Sequence, residues 1–413
     1  MTVSVKTIRD ISVGVYDGPH ATPELYDEGA AVFLGIPNLR ADGQIDVTAA
    51  RWVAERDLAK WTRRVTPQAN DIVFTYEATL NRYAIIPEGF ICCLGRRTAL
   101  VRPDPSQIDH RYLFYYFFSP RWRAQIDANT LTGATVDRIP LTTFPDFEVF
   151  VPDIRVQRQI AEILSAYDDL VAINQHRIAL LEDAARSLYR EWFVHLRFPG
   201  YEQVEVNEGW PTGWGVHSLS SVAEVNARSI GTKGRPDSIL YIDISSVTPG
   251  LIDSVTPYIF ADAPGRARRR VIHGDVIWSC VRPNRRSYAL IWEPDERLVA
   301  STGFAVISAT KVPFSYLYIT TTEDNFVGYL EQNATGAAYP AVTAKTFEEA
   351  KIVVPDPDTL ASFEVIVLPM LEQMEALKLQ NRNLTYARNI LLPKLMAGEL
   401  DVSGIPLPGE LTA

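Results

Sequence analysis

The chain has 413 residues, 47% hydrophobic and 22% charged, enough to bury two or three cores and too apolar for a disordered protein. No run of 18 apolar residues occurs, and the opening MTVSVKTIRD has no apolar h-region, so neither a membrane span nor a secretory signal is expected. The net charge of −10 argues against nucleic acid until its distribution is seen: residues 347–413 hold half of it, and 32 of the 40 basic residues are Arg.

Short β-branched and aromatic runs punctuated by Gly, Pro and Asp fill residues 1–152, and predict strands at 71–76 and 83–86. Cys92 and Cys93 lie here; with Cys280 they form no CxxC, which fits reduced thiols in a cytoplasm. A long helical pattern follows from about 154 to 193. Its apolar residues Ile160, Ile163, Tyr167, Val171, Ile178, Leu181, Ala185, Leu188 and Trp192 recur at the short spacings of a coiled-coil seam. Pro199-Gly200 ends it, and Pro211-Thr212-Gly213-Trp214 opens a second strand-rich stretch, with strands predicted at 239–244 and 271–279. A second helix is predicted from about 359 to 395, along Phe363, Ile366, Met370, Met374, Leu377, Leu384 and Leu391. Pro369 is expected to kink that helix or begin a new segment of it, because proline removes a backbone hydrogen bond. Asn174, Asn381 and Arg388 interrupt the two seams and read as polar residues that set register. Trp192, Phe193 and Leu395 are expected as apolar edge residues that a partner covers.

The two halves are copies. Thr132-Gly133-Ala134 recurs as Thr335-Gly336-Ala337, and Val149-Phe150-Val151-Pro152-Asp153 as Ile352-Val353-Val354-Pro355-Asp356, both 203 residues on. Asp71-Ile72-Val73-Phe74 answers to Asp275-Val276-Ile277-Trp278 at 204. Drift of a residue or so means small loop differences between two copies of one fold. The fold class is therefore α+β: two β-rich domains related by an internal repeat, separated by two long antiparallel coiled-coil helices. The expected boundaries are 1–152 and 201–355 for the β-rich domains, with 153–200 and 356–413 helical.

Arg266, Arg268, Arg269 and Arg270, then Arg282, Arg285 and Arg286, form the densest basic cluster, with Asn284 inside it and only Asp275 opposing. Arg and Asn are the side chains that pair bidentately with guanine and adenine edges. Arg63 and Arg64 precede Asp71 much as Arg269 and Arg270 precede Asp275, while Arg82, Arg96 and Arg97 follow it. Basic residues bracketing equivalent strands favour a nucleic-acid face over an ordinary solvated loop. After each Thr-Gly-Ala turn the residues diverge, and Thr135, Arg138 and Tyr339 join the candidate contacts. The glycine itself is expected to hold a positive φ. The histidines have no metal-ligand spacing, so no metal is expected, and Glu349-Ala350-Lys351 is a chance acid-x-Lys pattern absent from the other copy.

Glu77-Ala78, Ala84-Ile85-Ile86-Pro87-Glu88-Gly89, Cys92-Cys93-Leu94-Gly95-Arg96-Arg97 and Val101-Arg102-Pro103-Asp104 resemble a run common in type I restriction–modification specificity subunits. Asp17-Gly18-Pro19-His20, Pro211-Thr212-Gly213-Trp214 and Leu391-Leu392-Pro393-Lys394-Leu395-Met396-Ala397-Gly398-Glu399-Leu400 resemble that family too. The resemblance spans nearly the whole chain. It implies two target-recognition domains on double-stranded DNA, an asymmetric bipartite target with an unread spacer, and helices that dock two methyltransferase subunits, joined by motor-nuclease subunits, in a prokaryotic cytoplasm. Where the family often has Arg before Glu-Ala this chain has Tyr76, so no role of that Arg carries over, and Tyr76 is a candidate contact of its own. No GxxxxGK[ST] loop, Asn-Pro-Pro-aromatic run or nucleotide-binding glycine motif occurs. No catalysis is expected of this chain; S-adenosylmethionine, ATP and magnesium are expected on partner subunits. The alternatives are a self-contained nuclease or methyltransferase, and a coiled-coil scaffold without DNA.

Overall fold

In the computed structural model, which describes residues 3–48, 50–133, 136–207, 209–232 and 234–407, the β-branched runs of both copies take the same sheet order. The first central sheet is ordered Ser12–Asp17, Thr98–Pro103, Ile72–Thr75, Tyr83–Ile85. The second is ordered Ala223–Val225, Phe304–Ala309, Val276–Ser279, Tyr288–Leu290. Ile72 stands opposite Val101 in one and Val276 opposite Ile307 in the other. Each copy has a further sheet containing one parallel pair, Ala31–Leu34 with Cys92–Leu94 and Ser238–Ile242 with Leu298–Ser301. Each also pairs an early strand with the strand before its long helix: Val3–Thr7 with Glu148–Pro152, and Gly215–Ser218 with Lys351–Val354. The chain is α+β, and divides into Met1–Ile173 with Asn381–Ala413, and Asn174–Gln380.

The strand expected over 271–279 is shorter. Ala267–Arg270 is a strand of the second unit's parallel-pair sheet, a turn through Gly274 (φ +84°) follows, and Val276–Ser279 then enters the central sheet. Gly274 is needed in that turn: φ is positive and an added Cβ would lie 3.0 Å from the Phe314 ring.

A buried acid anchors each central strand. Asp71 is 2% exposed and Asp275 1%. The Asp71 carboxylate accepts the Gln68 N–H at 2.8 Å and the Arg102 guanidinium at 2.7 and 2.8 Å. Asp275 accepts the Ile272 N–H at 2.8 Å and Arg228 at 2.8 Å. The acid is kept and the cation changes address. Arg102 follows Val101 on its strand; in the second copy Ser308 follows Ile307, and Arg228 reaches across to donate to the Ser308 hydroxyl at 2.7 Å.

The long helices are Ile154–Tyr189, continued by one π turn at Arg190–Val194, and Pro357–Met396. They run antiparallel within each unit. In the first, Arg388 pairs with Asp168, the Asn381 amide reaches the Val171 carbonyl at 3.5 Å, and Gln159 reaches the Ser403 carbonyl at 3.4 Å. In the second, the buried Asn174 donates to Gln380 at 3.0 Å and the Tyr189 ring meets Phe363. These contacts give the interrupting polar residues fixed partners across the seam.

The second helix is continuous through Pro369, so no new segment begins there. Val365 and Pro369 are both exposed, so the turn that lacks the proline N–H lies on the helix's solvent face. Phe363, Met374 and Leu377 are buried as the seam predicts, but Ile366 is 40% exposed, and Val367 and Leu371 are buried in its stead. Trp192, Phe193 and Leu395 are core residues rather than apolar edges: Trp192 and Phe193 pack against Phe363, and Leu395 lies in the first unit's core. Among the described residues no helix is long and apolar enough to cross a membrane.

Removing an anchoring carboxylate would leave a guanidinium facing a desolvated site. Asp275→Ala is expected to lower the unfolding free energy by about 3 kcal/mol, read as a shifted denaturant midpoint at unchanged slope. A loss well under 1 kcal/mol would show that Arg228 finds water as good a partner.

Candidate nucleic-acid interface

In each unit the loop that leaves the central strand is pinned by backbone bonds to the segment ahead of the last strand. In the first unit the Ile139 N–H donates to the Tyr76 carbonyl at 2.8 Å and Ala78 N–H to Asp137 at 2.9 Å. Leu131 and Arg138 exchange two N–H···O bonds, and the Tyr76 N–H donates to Arg97 at 3.2 Å. The second unit repeats this. Val342 N–H donates to Cys280 at 2.9 Å, Arg282 N–H to Pro340 at 2.7 Å, and Cys280 N–H to Gly303 at 2.8 Å, while Thr335 and Ala341 exchange two bonds. Ala78 (φ +69°) and Arg282 (φ +52°) are matched residues, both in the left-handed region. The framework is the same, bond for bond.

The two turn glycines differ. Gly336 has φ +102°, and an added Cβ would lie 3.0 Å from the Tyr339 carbonyl oxygen, so only glycine fits. Gly133 has no positive φ and its nearest neighbour would be 3.9 Å away, so the expected conformation does not hold there.

The expected residues of the first unit are in different states. Arg64 is held by Asp17 at 2.5 Å and reaches the Gly18 carbonyl at 3.4 Å; Arg97 lies 3.5 Å from Glu77. Arg63, Arg96 and Arg138 are exposed and Arg82 is half-buried. Tyr76 is not a surface contact. It is 6% exposed, its hydroxyl donates to the Arg96 carbonyl at 3.0 Å, and burial, seconded by Asp17 and Glu77, pushes its phenol up to about 12. A large aromatic ring beside a closed backbone ladder is better used as core. Thr135 lies outside the described residues.

In the second unit the basic cluster divides. Arg269 and Arg270 lie on the strand Ala267–Arg270, opposite Ala300 and Val299, rather than in a loop before Asp275. Neighbouring Arg268 sits over the Phe260 ring at 4.9 Å, and Arg266 is 3.8 Å from Asp243. Arg282, Asn284, Arg285 and Arg286 share one tight connection, in which Pro283–Arg285 forms a 3-10 turn between two left-handed arginines. The Arg282 guanidinium lies 4.5 Å from the Tyr339 ring centroid and donates to the Ala338 carbonyl at 3.3 Å. Tyr339 is 68% exposed, Asn284 and Arg285 are exposed, and Arg286 pairs with Asp324 at 2.6 Å. Asp275 does not oppose the cluster, because Arg228 occupies it in the core. Asp243 and Asp324 are the acids that do, as Asp17 and Glu77 are in the first unit. The sequence signalled none of these four, since each pairs with a residue far from it in the chain.

Burial also pushes the Cys92 and Cys93 thiols up to about 12, so neither is a nucleophile. Tyr76→Phe is expected to cost about 1 kcal/mol of stability for the lost buried hydrogen bond, measured by denaturant titration. A neutral substitution would mean that the hydroxyl adds nothing over water, as for a ring at the surface.

Residues 24–183 match the family model of the type I restriction modification DNA specificity domain. The type I restriction enzyme MjaIX specificity subunit of Methanocaldococcus jannaschii is 22% identical over 360 residues, covering 85% of this chain and 82% of that protein. The HindI specificity subunit of Haemophilus influenzae is 19% identical, covering 73% and 80%. In fold, the chain is similar to the crystal structure of a type I restriction–modification S subunit from M. genitalium, at TM-score 0.57 and 15% identity over 96% of both chains. Along most of its length the chain is therefore similar to specificity subunits of type I restriction–modification systems, and it carries a match to that family's DNA specificity domain.

Proposed function

We propose that this chain reads an asymmetric, bipartite double-stranded DNA target with an unread spacer, and performs no chemistry itself. One observation carries the reading: two loop frameworks alike in backbone and unlike in side chain. Ala78, Asp137 and Arg138 stand in the first where Arg282, Pro340 and Ala341 stand in the second. A kept scaffold with changed side chains suits two readers of two different half-sites. Exposed Arg63, Arg96, Arg138, Arg270 and Arg285 fit phosphate contacts, which position; Arg282, Asn284 and Arg285 fit base edges, which specify.

Methylation and cleavage then belong to two modification subunits and the motor-nuclease restriction subunits, which hold S-adenosylmethionine, ATP and magnesium. Exposed apolar residues on the helices support docking of such partners: Leu170, Ile173 and Tyr386 in the first unit, Leu180, Val365 and Leu379 in the second. The named relatives are specificity subunits, which agrees with a non-catalytic role.

Long-read methylome sequencing of the host, with and without this gene, tests the reading. A non-palindromic two-part motif is expected, present only with the gene. Arg285→Ala is expected to reduce methylation through one half of the motif by roughly tenfold and to spare the other. An equal loss through both halves, or a palindromic motif, would count against two separate readers.

A further inference from the structure

Arg282 stands in a backbone conformation that its own side chain opposes. At φ +52° and ψ 63° it is in the left-handed region, where a Cβ crowds the following carbonyl. The framework demands that conformation, since Ala78 at the matched position holds it too and makes the same N–H···O bond. Glycine would satisfy the demand without strain, yet the second copy carries the longest side chain with a planar head. Non-glycine residues held in this region cluster where the strain serves a site.

The side chain is also held. Its guanidinium lies over Tyr339, an aromatic ring left mostly in solvent, and one nitrogen is fixed on the Ala338 carbonyl. Neither contact neutralises the charge, and no acid among the described residues pairs with it. Of the other arginines in this connection, Arg286 is tied to Asp324, and Arg285 is exposed with no ion-pair partner among the described residues. A planar fork already oriented, charged and open on its remaining donors loses little freedom on meeting a planar double acceptor. The O6 and N7 of guanine form that acceptor in the major groove.

We infer that Arg282 is the specificity-determining residue of the second unit for one guanine of its half-site, with Tyr339 as its positioning residue. The inference rests on the DNA-reading function proposed above. It also gives that function a cause of asymmetry. Ala78 occupies the matched place in the first unit and has no donor, so the first half-site is not read from this position.

The test compares hosts whose full chain carries Arg282→Lys, Arg282→Gly, Tyr339→Phe or Tyr339→Ala, scored by long-read methylome. Lys keeps the charge but not the fork. Arg282→Lys is expected to admit other bases at one guanine of one half-site, with discrimination there falling roughly tenfold to a hundredfold, and every other position kept. Arg282→Gly is expected to lose the same guanine while its unfolding midpoint stays at or above wild type, which separates lost reading from lost fold. Tyr339→Phe keeps the ring and the discrimination; Tyr339→Ala lowers it at that guanine alone. Uniformly weaker methylation of an unchanged motif in Arg282→Lys would make Arg282 a phosphate contact and overturn the inference. An unaltered motif in Arg282→Gly would overturn it as well. A wild-type host with no motif dependent on this gene would instead overturn the underlying function, and the inference with it.

Discussion

The short backbone ladder between the central hairpin's loop and the segment before the last strand is the constraint from which each unit's exposed end follows. It fixes the loop at both sides of one residue, 78 or 282, and forces that residue into the left-handed region. Because N–H and C=O groups make the ladder, side chains on it are free to differ. It also closes over the ring beneath: Tyr76 gives its carbonyl to Ile139 and its hydroxyl to Arg96, so two loops are joined through one residue.

Beneath the ladder, the buried acid performs the corresponding service for the strand. A carboxylate taken out of water needs a cation and donors, and the two copies supply the cation from different strands. Arg102 comes from the strand alongside, whereas Arg228 arrives from beyond the strand Ala223–Val225. The requirement is electrostatic and geometric, not positional. That is how two copies with little shared sequence keep one sheet order, and why matched arginines are a poor guide to matched function.

Much of the fold was legible in the chain. The repeat offset is a property of the sequence itself, and the period of the helical stripes is set by backbone geometry that tertiary context rarely overrides. Details that depend on partners were not. Trp192 and Phe193 look like loose ends of a stripe until Phe363 and Trp214 are brought against them. Ile366 fits the spacing as well as Val367 does, and only the packing of the second unit's own core decides between them. At the candidate site the arginines were legible and their states were not. Asp275 precedes its strand in sequence beside a basic run, yet its partner Arg228 lies 47 residues earlier. Tyr76 was taken for a contact on its place in the chain, whereas its environment is core.

The pairing of several loop arginines with acids bears on how such a surface would work in a chain of net charge −10. Arg64, Arg97, Arg266 and Arg286 each face a carboxylate, so a DNA phosphate would replace one anion by another instead of filling an empty site. Exposed ion pairs are worth little in themselves, about 0–1 kcal/mol, and the exchange is therefore easy but not strongly favourable. On the function proposed above, this limits binding to arbitrary duplex, whose affinity comes from phosphates alone. The residues that no acid holds then weigh more in the choice of sequence. On the Pro283–Arg285 turn of the second unit these are, among the described residues, Arg282 and Arg285, and the turn is placed by the same backbone ladder that leaves the first unit with alanine at the equivalent point.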